Sequence, residues 1–214
     1  MTSPKPYVLW MAVAIVAAAA GVWLARQTQP ANIIGGGPAL LAGTWLPQPR
    51  PVADFHLRDA RGQSISLAAL RGRTSLVFFG FTHCPDLCPT TLALLAQIRG
   101  QVRPTPQIVF VSLDPERDTP SELARYLAAF NSANSVDPEF IGITGAVPDI
   151  KAMAGNFGVA FNKLPLPGGD YMIDHSGTIF VLDGNAAIRA VFTPPFARDK
   201  IVSDLQNARA ALAP

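Results

Sequence analysis

The stretch Val77-Phe78-Phe79-Gly80-Phe81-Thr82-His83-Cys84-Pro85-Asp86-Leu87-Cys88-Pro89-Thr90-Thr91 holds both cysteines of the chain, and no other segment limits the fold as strongly. Ser75 to Phe81 is an apolar run rich in β-branched and aromatic residues. Such a run has the pattern of a buried strand. After Phe81 the pattern changes at once. Pro85 and Pro89 punctuate the chain, and Thr90 to Val102 has helical periodicity, with Leu94, Leu95, Ile98 and Val102 on one face. Pro89 suits the first helical position, where its missing N–H would have no partner anyway. That assigns Cys88 to the N-cap and Cys84 to the loop before it.

This corner has chemical consequences. A helix N-terminus carries about half a positive charge from its aligned peptide dipoles. A thiolate beside it is stabilised, and its pKa falls from about 8.5 toward neutrality. Two such thiolates, with three residues between them, can close a disulfide or hold a soft metal ion together. Free cysteines also serve as small buried apolar residues. Two cysteines flanked by prolines at a strand-to-helix corner are poor candidates for that use.

The first twenty-six residues differ from the rest. Tyr7 to Ala25 is apolar and uncharged, lies between Lys5 and Arg26, and has Trp10 and Trp23 near its ends. At about 1.5 Å per residue such a run just crosses a hydrocarbon layer about 30 Å thick. Tryptophans near the ends suit the two interfaces. A cleaved secretory signal peptide is the competing reading, but its apolar core is usually only about 7–15 residues. Cleavage at Ala18-Ala19-Ala20 would also leave Val22-Trp23-Leu24 on the product. The expectation is an N-terminal transmembrane helix over residues 1–26, with the body outside the cytoplasm, in a bacterial periplasm and attached to the inner membrane. Without Lys5 and Arg26 the body has fifteen basic and fifteen acidic residues. That balance gives no reason to expect nucleic-acid binding.

Residues 27–51 read as a tether, because Gly35-Gly36-Gly37-Pro38 and Pro47, Pro49 and Pro51 argue against regular structure. The domain proper is expected over residues 52–214. Phe55 to Asp59 and Ser64 to Leu67 alternate around a turn and predict a hairpin, followed by a short helical turn that ends at Gly72. Beyond the cysteine corner, Gln107 to Leu113 predicts a second buried strand. Thr119, Pro120 and Glu122 then form a capping box with proline at the first helical position. A strand at Phe140 to Ile143 and a helix at Val147 to Gly155 follow, and Asn156 to Tyr171 is an irregular hairpin or loop. Thr178 to Asp183 and Ala187 to Phe192 pair across a turn, and Phe196 to Leu212 is the last helix. This order predicts an α/β fold, a mixed sheet flanked by helices with an antiparallel edge. The cysteine corner then lies at the carboxyl end of a central strand, where sites collect in open α/β sheets.

Of the three histidines, His56 lies in the first hairpin and His83 abuts Cys84. His175 stands where the irregular segment returns to the sheet, a place from which a hairpin end could face the cysteines. From about Phe55 to Ala210 the chain resembles the Sco/SenC family of copper proteins. Phe79 to Leu92 is very like the family's cysteine motif, Val111 to Pro120 is similar to a second family segment, and Asp174-His175-Ser176 falls where the family keeps a metal-binding histidine. The amino-terminal anchor and tether also match. The resemblance implies a thioredoxin-like fold and one copper ion bound by Cys84, Cys88 and His175. It implies delivery of that copper to the binuclear copper centre in subunit II of cytochrome c oxidase. An upstream copper donor and a thiol reductant are the further partners expected.

Two thiolates and an imidazole suit this on chemical grounds. Soft thiolates select Cu(I), while nitrogen and oxygen donors in a tetragonal set suit Cu(II). Three protein ligands leave a position open for an incoming thiolate, unlike a closed four-ligand structural site. Asp174 could orient His175 from behind, and Asp86 could tune the thiolates between which it lies. Both also fit as plain surface carboxylates. His83 is not expected to be a ligand, and Asp114, Glu116, Arg117 and Asp118 are expected to form local ion pairs rather than a docking face. Two other functions compete. A thiol–disulfide oxidoreductase would reduce the acceptor's cysteines, although redox pairs of thioredoxin type usually keep two residues between their cysteines. A peroxidase would need basic groups near one exposed cysteine, and Arg71, Arg73 and Arg189 are not clearly placed for that.

Overall fold

The computed structural model describes residues 37–131 and 140–214, together with Ala18 and Ala20. The apolar run read as a membrane span lies outside the described residues, as does the first part of the tether. Among the described residues no helix is long and apolar enough to cross a membrane. Residues 37–214 form one compact unit, and residues 1–36 are divided from it as a second.

In chain order the strands before the cysteine corner are β1 (Gly43–Pro51), β2 (His56–Asp59), β3 (Ser64–Ser66) and β4 (Ser75–Gly80). Then follow α1 (Leu87–Gln101), β5 (Gln107–Ser112), α2 (Pro120–Ala128), β6 (Phe140–Thr144) and α3 (Val147–Phe157). The chain ends with β7 (Phe161–Pro165), β8 (Tyr171–His175), β9 (Ile179–Leu182), β10 (Ala187–Phe192) and α4 (Arg198–Asn207). Among the described residues, eight strands make one sheet in the order β1-β10-β9-β4-β5-β6-β2-β3, and β7 pairs only with β8. β4, β5 and β6 run parallel, while β9, β10 and the hairpin β2–β3 join antiparallel. Every residue of β4 and β5 is buried, as their unbroken apolar runs require.

Three differences from the sequence reading have clear causes. First, α1 begins at Leu87, with Asp86 as N-cap, so Cys88 is the second helical residue and not the cap. The Thr90 N–H closes the first turn on the Asp86 carbonyl at 3.1 Å. Pro89 is tolerated one turn in because the first helical N–H groups lack partners in any case. The buried face of α1 carries Thr91, Leu92, Leu95 and Ile98, with Leu94 only half-buried.

Second, the end of the presumed tether is a strand. β1 pairs with β10 at Gly43 to Trp45 and again at Arg50 and Pro51, with an irregularity between. Pro47 and Pro49 fall inside that break, where an edge strand needs no N–H from them. Third, the irregular segment contains a regular antiparallel hairpin, β7–β8, in register from Phe161↔His175 to Pro165↔Tyr171.

The entry to β1 is held by a buried carboxylate. Asp204 on α4 accepts the Leu41 N–H at 2.6 Å and the Ala42 N–H at 2.8 Å. Hydrogen bonds to a charged acceptor contribute about 1.5–3 kcal/mol each. Asp204→Ala should lower stability by about 2–4 kcal/mol in urea unfolding. It should also open the chain ahead of Gly43 to limited proteolysis, whereas a variant of unchanged stability would show that the contact is idle.

Candidate metal centre

The chain leaves β4 at Gly80, where a Cβ would lie 2.8 Å from Cys88 Sγ and 2.8 Å from the Phe110 ring. Glycine is therefore what lets the first turn of α1 approach the strand. The loop after it is fixed by Asp118, a fully buried carboxylate. Asp118 accepts the Thr82 N–H at 3.0 Å, the Thr82 hydroxyl at 2.6 Å and the Ser112 hydroxyl at 2.6 Å. A buried charge must be answered by such donors, so the loop and the end of β5 are tied to one point.

Neither cysteine is in a disulfide; Cys88 is buried and Cys84 partly exposed. The Cys88 N–H donates to Cys84 Sγ at 3.4 Å, so the first sulfur caps the helix that carries the second. The Cys84 pKa is pushed down from 9.0 to about 5. The Cys88 thiol as donor is the main cause, the Cys88 and Asp86 amides add to it, and burial opposes it. The Cys88 pKa is raised by that same hydrogen bond and by burial. The metal-free pair is therefore a Cys84 thiolate beside a Cys88 thiol.

His175 comes from the far end of the β7–β8 hairpin and brings Nε2 to 3.9 Å from Cys88 Sγ. Its Nδ1 stands 2.9 Å from the Ser176 carbonyl oxygen. A carbonyl only accepts, so Nδ1 carries the proton and the Nε2 lone pair faces the thiols. The ring sits edge-on against Phe78 and Phe81, with centroids 6.3 and 6.1 Å away. Among the described residues, no trio of His, Cys, Asp or Glu side chains is closed into a ready metal cage. What is assembled is a thiol and an imidazole at a spacing one metal ion can bridge, with a thiolate beside them.

The remaining candidates make other contacts. Asp174 is exposed and pairs with Asn162 across the hairpin. Alternation along β8 turns it away from the face of His175, and the Ser176 carbonyl takes the orienting role. Asp86 influences Cys84 through its backbone amide, while its exposed carboxylate accepts from the Thr90 hydroxyl at 3.3 Å. The ring of His83 is exposed, bonded to Thr82 at 3.0 Å and 3.8 Å from Asp118. Arg189 lies over Trp45 at 4.8 Å, at the β1–β10 edge. Sequence reasoning missed Asp118 as the loop's anchor, the Phe78–Phe81 seat and the need for Gly80. Only Gly80, a lone glycine in an apolar strand, carried a readable signal.

The SCO1/SenC family profile matches residues 46–210. The chain belongs to the SCO1/SenC family. Over 161 residues it is 34% identical to the human mitochondrial SCO2 homolog, an overlap that covers 72% of this chain and 57% of that one. The chain thus spans a little over half the length of that SCO1/SenC relative. The structure of copper-bound ScoI from Bradyrhizobium japonicum matches with a TM-score of 0.63 at 31% identity, covering 73% of this chain and 98% of that one. Apo Sco1 from Thermus thermophilus matches with a TM-score of 0.67 at 36% identity, covering 78% and 98%. The mixed α/β fold is thus the thioredoxin-like fold of the SCO1/SenC structures.

The two thiols should be separable by pH. Alkylation of the reduced protein by iodoacetamide should modify Cys84 first, with a rate that rises through pH about 5 and not about 9. In Cys88→Ala, which removes the donor, the midpoint should move upward. A wild-type midpoint near the ordinary thiol value would show that the Cys88 donor does not act.

Proposed function

We propose that this SCO1/SenC protein is a copper metallochaperone. It binds one copper ion through Cys84, Cys88 and His175 and passes it to the binuclear copper site in subunit II of cytochrome c oxidase. The convergence of His175 Nε2 on Cys88 Sγ at 3.9 Å, from a separate hairpin, carries this reading. Kinship with a protein solved with copper bound supports it. The donor set is soft, which favours Cu(I), and one imidazole lets the site accept Cu(II) as well.

Copper is the cargo here, and the protein does no covalent chemistry on it. Transfer proceeds by ligand exchange: a partner thiolate enters the open position before a protein ligand leaves. His175 is the neutral ligand and leaves first. Supply comes from an upstream copper donor, and a thiol reductant keeps the cysteines as thiols outside the cytoplasm. The apolar segment at residues 7–25 would anchor the protein to the inner membrane, with the domain on the periplasmic side.

The half-exposed Cys84 thiolate favours a second reading, a thiol–disulfide oxidoreductase for the acceptor's cysteines. Cys84 would attack a partner disulfide to give a mixed disulfide. Cys88 would then resolve it, leaving a Cys84–Cys88 disulfide and a reduced partner dithiol, to be reset by the thiol reductant. That chemistry has no use for His175.

The two readings part on one comparison. The reduced protein should bind one copper per chain with thiolate-to-copper charge-transfer bands. His175→Ala should alter those bands and weaken binding at least about tenfold. Cys84→Ser should fail to metallate the acceptor. No copper uptake against a competing chelator, together with disulfide reductase activity untouched by His175→Ala, would leave the oxidoreductase standing instead.

A further inference from the structure

Among the described residues, the β7–β8 hairpin shares no hydrogen-bonded strand with the main sheet. A two-stranded hairpin is marginal on its own in water. Something other than the sheet ladder must therefore hold the element that carries His175. The turn after β5 does so. Tyr171 donates its hydroxyl to Asp114 Oδ1 at 2.7 Å. Arg117 pairs through Nε with Asp114 Oδ2. The same guanidinium donates to Asp170 Oδ1 at 2.8 Å and to the Tyr171 carbonyl at 3.2 Å, and it lies 3.7 Å from the centroid of the Tyr171 ring. Asp114 is fully buried, and each of its carboxylate oxygens has one of these donors.

We propose that Asp114, Arg117 and Tyr171 form a clamp that positions His175 over the cysteine corner. The proposal rests on the metal-binding reading of Cys84, Cys88 and His175 and adds the residues that set its geometry. Tyr171, Ile173 and His175 lie on one face of β8, because side chains alternate along a strand. Ile173 is buried between the other two. The clamp grips the start of the strand and the imidazole leaves its end. A shift at Tyr171 is carried to His175 by a short rigid strand. A displacement of about 1 Å is enough to spoil a ligand's approach.

The other end of the same turn acts on the other arm. Asp118 holds Thr82, two residues before Cys84, and the Ser112 hydroxyl that Asp118 accepts also receives the Asp114 N–H at 3.0 Å. One turn, residues 113–119, therefore fixes both ligand-bearing segments against each other. By contrast, Lys163 and Glu116 pair on the hairpin's exposed rim, where such pairs contribute little.

The test uses the full chain in reduced form, with Tyr171→Phe, Arg117→Lys and, as the rim control, Glu116→Gln. Tyr171→Phe keeps the ring and loses only the bond to Asp114. Arg117→Lys keeps the charge and loses the fork. Two readouts need no metal: amide exchange along residues 161–175, and the nuclear Overhauser contact between the His175 and Phe81 rings. In the first two variants exchange should quicken about tenfold, relative to β4 and β9, and the ring contact should weaken. The melting temperature should stay within about 4 °C. Copper affinity should fall about tenfold, with charge-transfer bands shifted toward those of His175→Ala. Glu116→Gln should match wild type throughout.

Wild-type exchange and ring contact in Tyr171→Phe overturn the clamp, even if Arg117→Lys fails to fold. Faster exchange with unchanged copper spectra overturns the positioning role. If wild type takes up no copper, the chaperone reading falls, and the two metal-free readouts alone decide the clamp.

Discussion

Parallel pairing of β4 with β5 is the constraint on which the site depends. Residue by residue, Ser75 to Gly80 lie beside Gln107 to Ser112, so both strands end at the same edge. Both are buried throughout, so neither can carry polar chemistry along its length. The chain's polar work is displaced to the two turns that follow, the cysteine loop after Gly80 and the acidic turn after Ser112. These two turns are neighbours because the strands are in register. The Leu113 N–H bonds the Gly80 carbonyl at 2.7 Å, extending the ladder one step beyond the sheet. From there Asp118 reaches back to Thr82, and Asp114 and Arg117 reach outward to the hairpin.

The charges at this edge are arranged unevenly. Asp118 is buried with hydrogen-bond donors, and the His83 ring nitrogen lies 3.8 Å away. Its charge adds to the forces that keep Cys88 protonated. Cys84, nearer solvent, receives the N–H groups of the first helical turn and becomes the thiolate. The two sulfurs differ in burial, partner and protonation although they are four residues apart. A pair of equivalent thiolates in this pocket would repel each other, and a positive ion between them would relieve that repulsion. Binding of a cation therefore means loss of the Cys88 proton, which makes loading dependent on pH and on a base to receive that proton.

Most of the fold was legible because the buried strands and the capping signals are local. Thr119 with Pro120 marked the start of α2, and the Thr119 hydroxyl does accept the Glu122 N–H at 3.3 Å. The errors came where local rules met tertiary contacts. Prolines spoke against a strand at residues 43–51, yet β10 offers pairing at both ends and the prolines fall in the gap. Pro89 suggested a helix start that Asp86 and the corner moved two residues earlier. At the site, Cys84 and Cys88 announced themselves by spacing, and His175 was placed by resemblance. Asp118, Phe78 and Phe81 did not announce themselves. A buried aspartate in a charged run looks like its exposed neighbours, and two phenylalanines in an apolar strand look like core. Only the fold shows that the seat of the imidazole is made from them.

On the proposed chaperone function, the separation of the hairpin from the sheet bears on how a bound ion would be released. Cys88 is carried by α1, which is welded to the core through Leu92, Leu95 and Ile98, and it cannot move without disrupting that packing. His175 sits on an element whose ladder is its own and whose ties to the body are the side-chain contacts at one turn and the packing of Ile173 and its neighbours on the core. Tilting the hairpin costs a few hydrogen bonds, each about 0.5–1.5 kcal/mol net and more where charged, together with the apolar contacts of Ile173. Local openings of this size lie far below global unfolding. An imidazole held by such a hinge can withdraw while the thiolates keep their place, and a partner's ligand can take the vacated position.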